Sequence, residues 1–351
     1  MRSDVVVGVC CFAFFSFFMA AHMTTSLRPT STTSGASSAV QEGVNNKPVA
    51  TQSKYVKEME FEWINNRLVG PDINAMCGLP ETPKDCQPWY TVAHIEESVK
   101  YMDDNSEEII PYAEEKLKRR AQEAALQCGP LDDSANAKEG VVLQRGGWCL
   151  QTKPKKRTGP QTISYQDITF EIPVYHVPPS GRIVMELSAL IDRENITSIN
   201  DFGAGVGQYK AAILEKHPNL DYRAYDGAGN AVQYTKGFLK YFDLTYPLGL
   251  PKADWVLSLE VGEHVPSKYE GMLIRNLHRH NRKGIILSWG VLGQGGHSHI
   301  NNHANEYVIN LMDSLGYTCD LELGAKMRLK EDNYGWFTKS VMVFRRKNPL
   351  P

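Results

Sequence analysis

The feature that most narrows the fold is a glycine-rich turn, Asp201-Phe-Gly-Ala-Gly-Val-Gly207. It follows a short β-rich stretch, Ile196–Phe202, and leads into helical spacing over Tyr209–Lys216. In such a turn Gly203 permits the tight bend, Gly205 lets a ligand approach the backbone, and Gly207 allows the helix to pack closely on the strand. The next strand stretch, Asp221–Tyr225, leads to Asp226. That residue lies about 20 positions beyond the glycines, where a carboxylate can accept both ribose hydroxyls of a nucleoside.

The surrounding pattern fits the same fold. Arg182–Ile191 has amphipathic helical spacing. Asp254–Leu259 and Gly284–Ser288 are apolar runs of the fully buried strand type, Asn305–Leu315 is helical, and Ser340–Phe344 is a final strand. Strands alternating with helices imply a mostly parallel sheet covered on both faces. The expected class is α/β over 180–351, preceded by a mostly helical accessory region over 54–179. In that region Lys54–Leu68 and Ile95–Leu126 have helical spacing, with Pro111 expected to break the second. Gly70–Pro88 and Cys128–Pro160 read as loops.

The glycines are spaced G-x-G-x-G and not G-x-G-x-x-G, a departure from the dinucleotide fingerprint, in which a pyrophosphate takes the helix N-terminus. Asp201 suits a cationic ligand. Asp201–Gly207, Tyr225-Asp-Gly227 and the segment Asp254–Pro266 together resemble class I S-adenosylmethionine-dependent methyltransferases over 180–351. More loosely, Leu259–Pro266 with Trp289, Gln294 and His299-Ile-Asn301 is similar to animal methyltransferase-like proteins that begin with a signal or anchor segment. The resemblance implies a Rossmann-like class I methyltransferase sheet and S-adenosyl-L-methionine as cofactor. It implies that Asp201, Gly203, Ala204, Gly205 and Gly207 line the methionine portion, that Asp226 holds the ribose, and that Gly227 and Ala228 lie near the adenine. Glu260 would stand beside the transferring methyl, and Asp243 and Thr245 are the candidates on the next turn.

Glu260-Val-Gly-Glu263-His264 places two carboxylates and an imidazole on one turn. It resembles the E-x-x-E-H of coenzyme Q O-methyltransferases and small-RNA 2′-O-methyltransferases, where such residues bind a divalent metal. A metal such as Mg²⁺ or Mn²⁺ would lower the pKa of an acceptor hydroxyl. The alternative is a segment that only shapes the loop. Gly293–His303 carries His297, His299 and His303 at the carboxyl edge of the sheet. His299 is the first choice for a general base or a further ligand, against a plain surface loop. The candidate catalytic set is His299, Glu263 and His264; the candidate metal set is Glu260, Glu263, His264 and His299.

The N-terminus has a different character. Val5–Ala21 is an uncharged apolar run that reads, within 1–23, as a signal-anchor or a signal peptide. Residues 24–53 are Ser/Thr-rich and read as an unfolded stem. Cys77, Cys86, Cys128 and Cys149 cluster ahead of the glycine turn and read as disulfides, with three pairings open. Asn195-Ile-Thr197 is a glycosylation sequon, and Lys153–Arg157 a solvated basic loop. The balance of 38 basic and 40 acidic side chains gives no field for nucleic acid, so no nucleic-acid partner is expected. The composite expectation is an O-methyltransferase of the secretory pathway, single-pass in the Golgi or endoplasmic reticulum membrane or secreted, acting on an acceptor such as a glycan hydroxyl. The competing classes are an NAD-dependent oxidoreductase and a non-catalytic nucleoside-binding module.

Overall fold

Ser198–Phe202 (β3) and Ala253–Ser258 (β6) are buried at every position, as strands are when helices cover both faces of a parallel sheet. They pair with each other at the centre of a seven-stranded sheet. Asp221–Asp226 (β4) and Lys240–Tyr241 (β5) extend it on one side, and Asn281–Ser288 (β7) on the other. Val341–Arg346 (β9) runs antiparallel to β7, and Tyr317–Cys319 (β8) closes the edge, giving the order β5-β4-β3-β6-β7-β9-β8. This is a mixed α/β, mostly parallel sheet of the Rossmann-like kind. The order reverses between β3 and β6, and ligands in open α/β sheets bind outside the carboxyl ends of strands at such a switch point.

The computed structural model describes Leu68 and residues 90–129, 145, 147–150, 162–173, 176–331 and 333–351, all within one unit spanning Pro48–Pro351. The Val5–Ala21 run, the stem, residues 54–67, Cys77, Cys86 and Lys153–Arg157 lie outside the described residues. Among the described residues no helix is long and apolar enough to cross a membrane.

Alternation along the strands feeds two cores. Ile199, Trp255, Leu257, Ile286, Val341 and Val343 face one, and Phe202, Val256, Ile285, Leu287, Met342 and Phe344 face the other. The first core is covered by the helices Gly181–Glu194 and Gln208–Lys216. Ser180 caps the former by accepting from the Ile183 N–H at 3.3 Å, and left-handed Asn195 ends it. The helix Glu270–Arg279 covers the second core, and the helix Val92–Asp104 packs on it through Ile95.

Two sequence expectations need correction. The helical tract breaks at Asn105 and not at Pro111, which sits inside the helix Ser106–Cys128. Asn105 stops the first helix because its side-chain amide and its backbone N–H both donate to the Tyr101 carbonyl. The proline's fixed φ suits a helix, but in this second turn it forgoes the bond to the Glu107 carbonyl and crowds it, a cost that the helix through Cys128 bears. Within the stretch before 180, Thr162–Tyr165 (β1) and Ile168–Glu171 (β2) form an antiparallel hairpin that was not expected. Ile163 and Phe170 bury it in the first core.

One buried carboxylate anchors the loop after β7. Glu270 accepts from Tyr90 Oη (2.8 Å), Tyr307 Oη, Asn301 Nδ2 (3.1 Å) and His303 Nε2 (2.6 Å). These donors hold its pKa down at about 2 against the cost of its burial. A lowered folded value contributes stability above the unfolded value of 4.5, and that contribution is lost as pH falls through 4.5 towards 2. Glu270→Ala should therefore lower unfolding free energy at neutral pH by about 3–5 kcal/mol, the usual cost of breaking a buried pair. In urea titrations across pH the gap to wild type should shrink over that acid window. A gap independent of pH would contradict the assignment.

Candidate functional site

At the carboxyl ends of β3, β4 and β6 lies a cavity of about 570 Å³. Its floor is the glycine turn. The amides of Gly203 and Ala204 both donate to the Tyr225 carbonyl at 2.9 Å, which folds the chain back on β4. Gly203 and Gly205 have φ of +76° and +61°, values that a side chain resists. Asp226 fastens the turn: its carboxylate accepts from the Gly205 N–H and the Ala228 N–H, each at 2.8 Å. Burial raises its pKa to about 6, with these two amides opposing the shift. Each oxygen keeps a lone pair for a ligand hydroxyl.

Asp201, Gly203, Ala204, Gly205, Asp226, Gly227, Glu260, His264 and His299 line this cavity together. Gly207 instead packs against the Phe238 ring, and Ala228 is buried in the first core. Asp201 accepts from Tyr222 Oη at 2.8 Å, and burial pushes its pKa up to about 7. Asp243 lines the far end, tied to Arg120 Nη1 at 2.6 Å and to the Thr245 hydroxyl at 2.6 Å.

The Glu260–His264 segment leaves β6 with Glu260 in a left-handed conformation, φ +54°, a strain that needs strong surroundings. Those are present. Its amide donates to Ser288 Oγ (2.7 Å), and its carboxylate accepts from Ser340 Oγ (2.9 Å) and Gln294 Nε2 (2.7 Å). Gly262 lies against the Trp289 ring, where any side chain would collide. Glu263 is fully buried, and both its carboxylate oxygens lack a hydrogen-bond partner. Burial, with the Glu260 charge nearby, raises its pKa well above the usual range.

Glu263, His264 and His299 offer ligand atoms that all lie within 4.8 Å of one another. The Nδ1 of His264 faces the Ser298 carbonyl at 3.2 Å, and that of His299 faces the Gln294 carbonyl at 3.2 Å. A carbonyl only accepts, so each Nδ1 bears the proton. Burial lowers the pKa of both rings, that of His264 to about 4. Each Nε2 therefore presents a lone pair, the orientation that metal-bound histidines take from their outer partners. An orphaned carboxylate beside two such imidazoles fits a divalent cation. Glu260 stands beside this group with its oxygens already engaged. The third loop histidine, His303, serves Glu270.

Sequence reasoning missed one wall. Trp148 packs edge-on against His264 (4.8 Å between ring centres) and His297 (5.6 Å). His176 and Arg145 also line the cavity, and the remaining wall holds Trp336 and Phe337. A tryptophan next to a half-cystine in a glycine-rich loop was the available signal.

No protein-family model and no curated protein matches this chain. Among solved structures, it is similar to magnesium protoporphyrin IX methyltransferase from Synechocystis PCC 6803 with bound SAM, at 14% identity over 47% of this chain and 78% of that one, TM-score 0.35. It is similar to the methyltransferase domain of bacterial CtHen1-C, at 15% identity, 47% and 97% coverage and TM-score 0.37. Human N-acetylserotonin methyltransferase in complex with SAM gives 16%, 47% and 51%, and 0.34.

Burial of Glu263 gives a test. A raised folded pKa contributes stability below the unfolded value of 4.5, which is lost as pH rises through the folded value. In metal-free protein, Glu263→Gln should therefore be more stable than wild type at neutral pH, and the advantage should vanish in acid. Mn²⁺ should raise the wild-type melting temperature and leave the variant nearly unmoved. A destabilised Glu263→Gln with an unchanged Mn²⁺ response would remove the cation site.

Proposed function

We propose that the protein is an S-adenosylmethionine-dependent methyltransferase that transfers the methyl group to an oxygen, with a divalent cation at Glu263, His264 and His299. The observation that carries this reading is the Asp226 carboxylate, fixed by the Gly205 and Ala228 amides at the mouth of the switch-point cavity. It suits a ribose and leaves no phosphate cradle. Bound S-adenosylmethionine supplies a methyl on a sulfonium that is already a good leaving group, so the acceptor chiefly needs deprotonation and in-line placement. A cation supplies the lowered acceptor pKa.

The chain's own residues do the rest. Asp226 orients the ribose, and Gly203 and Gly205 admit the ligand to the backbone. Asp201 stands where the cationic portion would lie. Glu263, His264 and His299 would hold the cation. Glu260, fixed by Ser340 and Gln294, adds negative charge beside it. Trp148 covers His264 and excludes water.

The acceptor we propose is a neutral hydroxyl compound, a glycan of the secretory pathway. Trp148 and Trp336, both partly exposed in the cavity wall, offer flat apolar surface of the kind that stacks on sugar C–H groups. The lining arginines, Arg120 and Arg145, both reach Asp243 at the opposite end. A secretory location is supported by the apolar Val5–Ala21 run, by the Cys128–Cys149 disulfide and by the exposed Asn195 of the sequon. By this reading the chain enters that pathway either anchored in a membrane or secreted.

Calorimetry should detect S-adenosylhomocysteine binding. Asp226→Ala should weaken it by roughly 2 kcal/mol, about thirtyfold in Kd. Methyl transfer from labelled cofactor to fractionated secretory glycans should stop in EDTA and return with Mg²⁺ or Mn²⁺. His264→Ala should lose turnover while keeping cofactor affinity. No binding by wild type, or full turnover in EDTA, would defeat the cofactor and metal parts respectively.

A further inference from the structure

Trp148 reaches the cavity on a short strap whose anchors all bear on the nucleoside end. At its start Arg145 Nη1 lies 3.5 Å from Asp243 Oδ2. Gly147 runs so close to Gly227 that its Cα lies 4.0 Å from where a Gly227 side chain would begin. The Trp148 ring stands over His264 and within 6.2 Å of the His176 ring. Cys149 is buried and disulfide-bonded to Cys128 at the end of the helix Ser106–Cys128. Leu150 is gripped by buried Asn230: its N–H donates to Oδ1 at 2.8 Å, and its carbonyl accepts from Nδ2 at 2.9 Å. The disulfide itself rests on the turn after Asp226. A side chain on Gly229 would strike the Ala124 carbonyl and lie 2.8 Å from Cys128 Sγ. The strap thus spans the cleft from Asp243 past Gly227 to His264, and its one covalent tie is beside the ribose-binding turn.

We propose that residues 147–150 are a disulfide-held cover of the cofactor cleft, and that reduction of Cys128–Cys149 loosens the grip on an S-adenosyl ligand. The inference rests on the methyltransferase reading above. A dithiol reductant delivers two electrons and two protons; the S–S bond breaks, two thiols form, and the reductant leaves as its own disulfide. Reduction removes the covalent tie between Cys149 and the end of the helix Ser106–Cys128, which leaves the Asn230 clasp on Leu150 to hold this stretch. If the covered conformation then falls to a tenth of the population, apparent affinity falls tenfold, because only that fraction binds in full.

The test uses the full chain, oxidised and then mildly reduced, with S-adenosylhomocysteine titrated by calorimetry and fold checked by circular dichroism. Reduction should raise Kd roughly tenfold with the fold intact. Cys128→Ser/Cys149→Ser should match the reduced value and no longer respond to reductant, which separates this pair from Cys77 and Cys86. Trp148→Ala with the disulfide intact should also weaken binding. A Kd unchanged within about twofold, a factor worth only ~0.4 kcal/mol, would overturn the proposal. So would loss of fold on reduction, which would make the bond a structural cross-link. Should the double variant not fold, the reduced wild type decides alone. Failure of the oxidised wild type to bind at all would instead overturn the methyltransferase reading.

Discussion

The Asp226 carboxylate is the constraint on which the rest of the site depends. By accepting from the Gly205 and Ala228 amides it ties the turn after β3 to the turn after β4, two paired strands on one side of the switch point. The left-handed glycines can hold their conformation only because these bonds, and those to the Tyr225 carbonyl, define it. The cavity floor is therefore set before any ligand arrives. Its walls come from elsewhere in the chain: the Glu260–His264 turn, the histidine loop and the Trp148 strap.

Two buried carboxylates a few residues apart show how environment divides labour. Glu270 and Glu263 are both buried. Glu270 has four donors and a pKa near 2. It holds the loop through Asn301 and His303 and so places His299 at the cavity. Glu263 has no comparable set of donors, and burial drives its pKa upward. The proposed cation would answer the charge of the second acid.

Much of the sheet was legible because strands covered on both faces carry continuous apolar runs, as Trp255–Leu257 and Ile285–Leu287 do. The glycine turn was legible because positive φ leaves few residue choices. Pro111 misled because its fixed φ is compatible with a helix and burial of Ile109 and Ala113 holds the helix through it, whereas Asn105 could end the preceding one. The β1–β2 hairpin was missed because Thr162–Glu171 falls within the stretch that reads as mostly helical, and only the fold brings Ile163 and Phe170 to the first core. The division of the loop histidines was hidden for a similar reason: only the fold brings Glu270 to His303, His297 to Trp148 and His299 to His264. Trp148 itself depends on a disulfide and an Asn230 clasp across 80 positions, which no local pattern encodes.

The charge pattern of the cavity ties these parts into one account: a ribose-sized anchor at Asp226, acidic side chains where a cation would sit, and aromatic walls beyond. A crystal structure grown with S-adenosylhomocysteine and Mn²⁺ tests it most directly. The account predicts the ribose hydroxyls on Asp226, the sulfur facing Glu260, and one anomalous Mn²⁺ peak bound by Glu263, His264 and His299. A ligand bound away from Asp226, or a Mn²⁺ peak only at surface carboxylates, would contradict it.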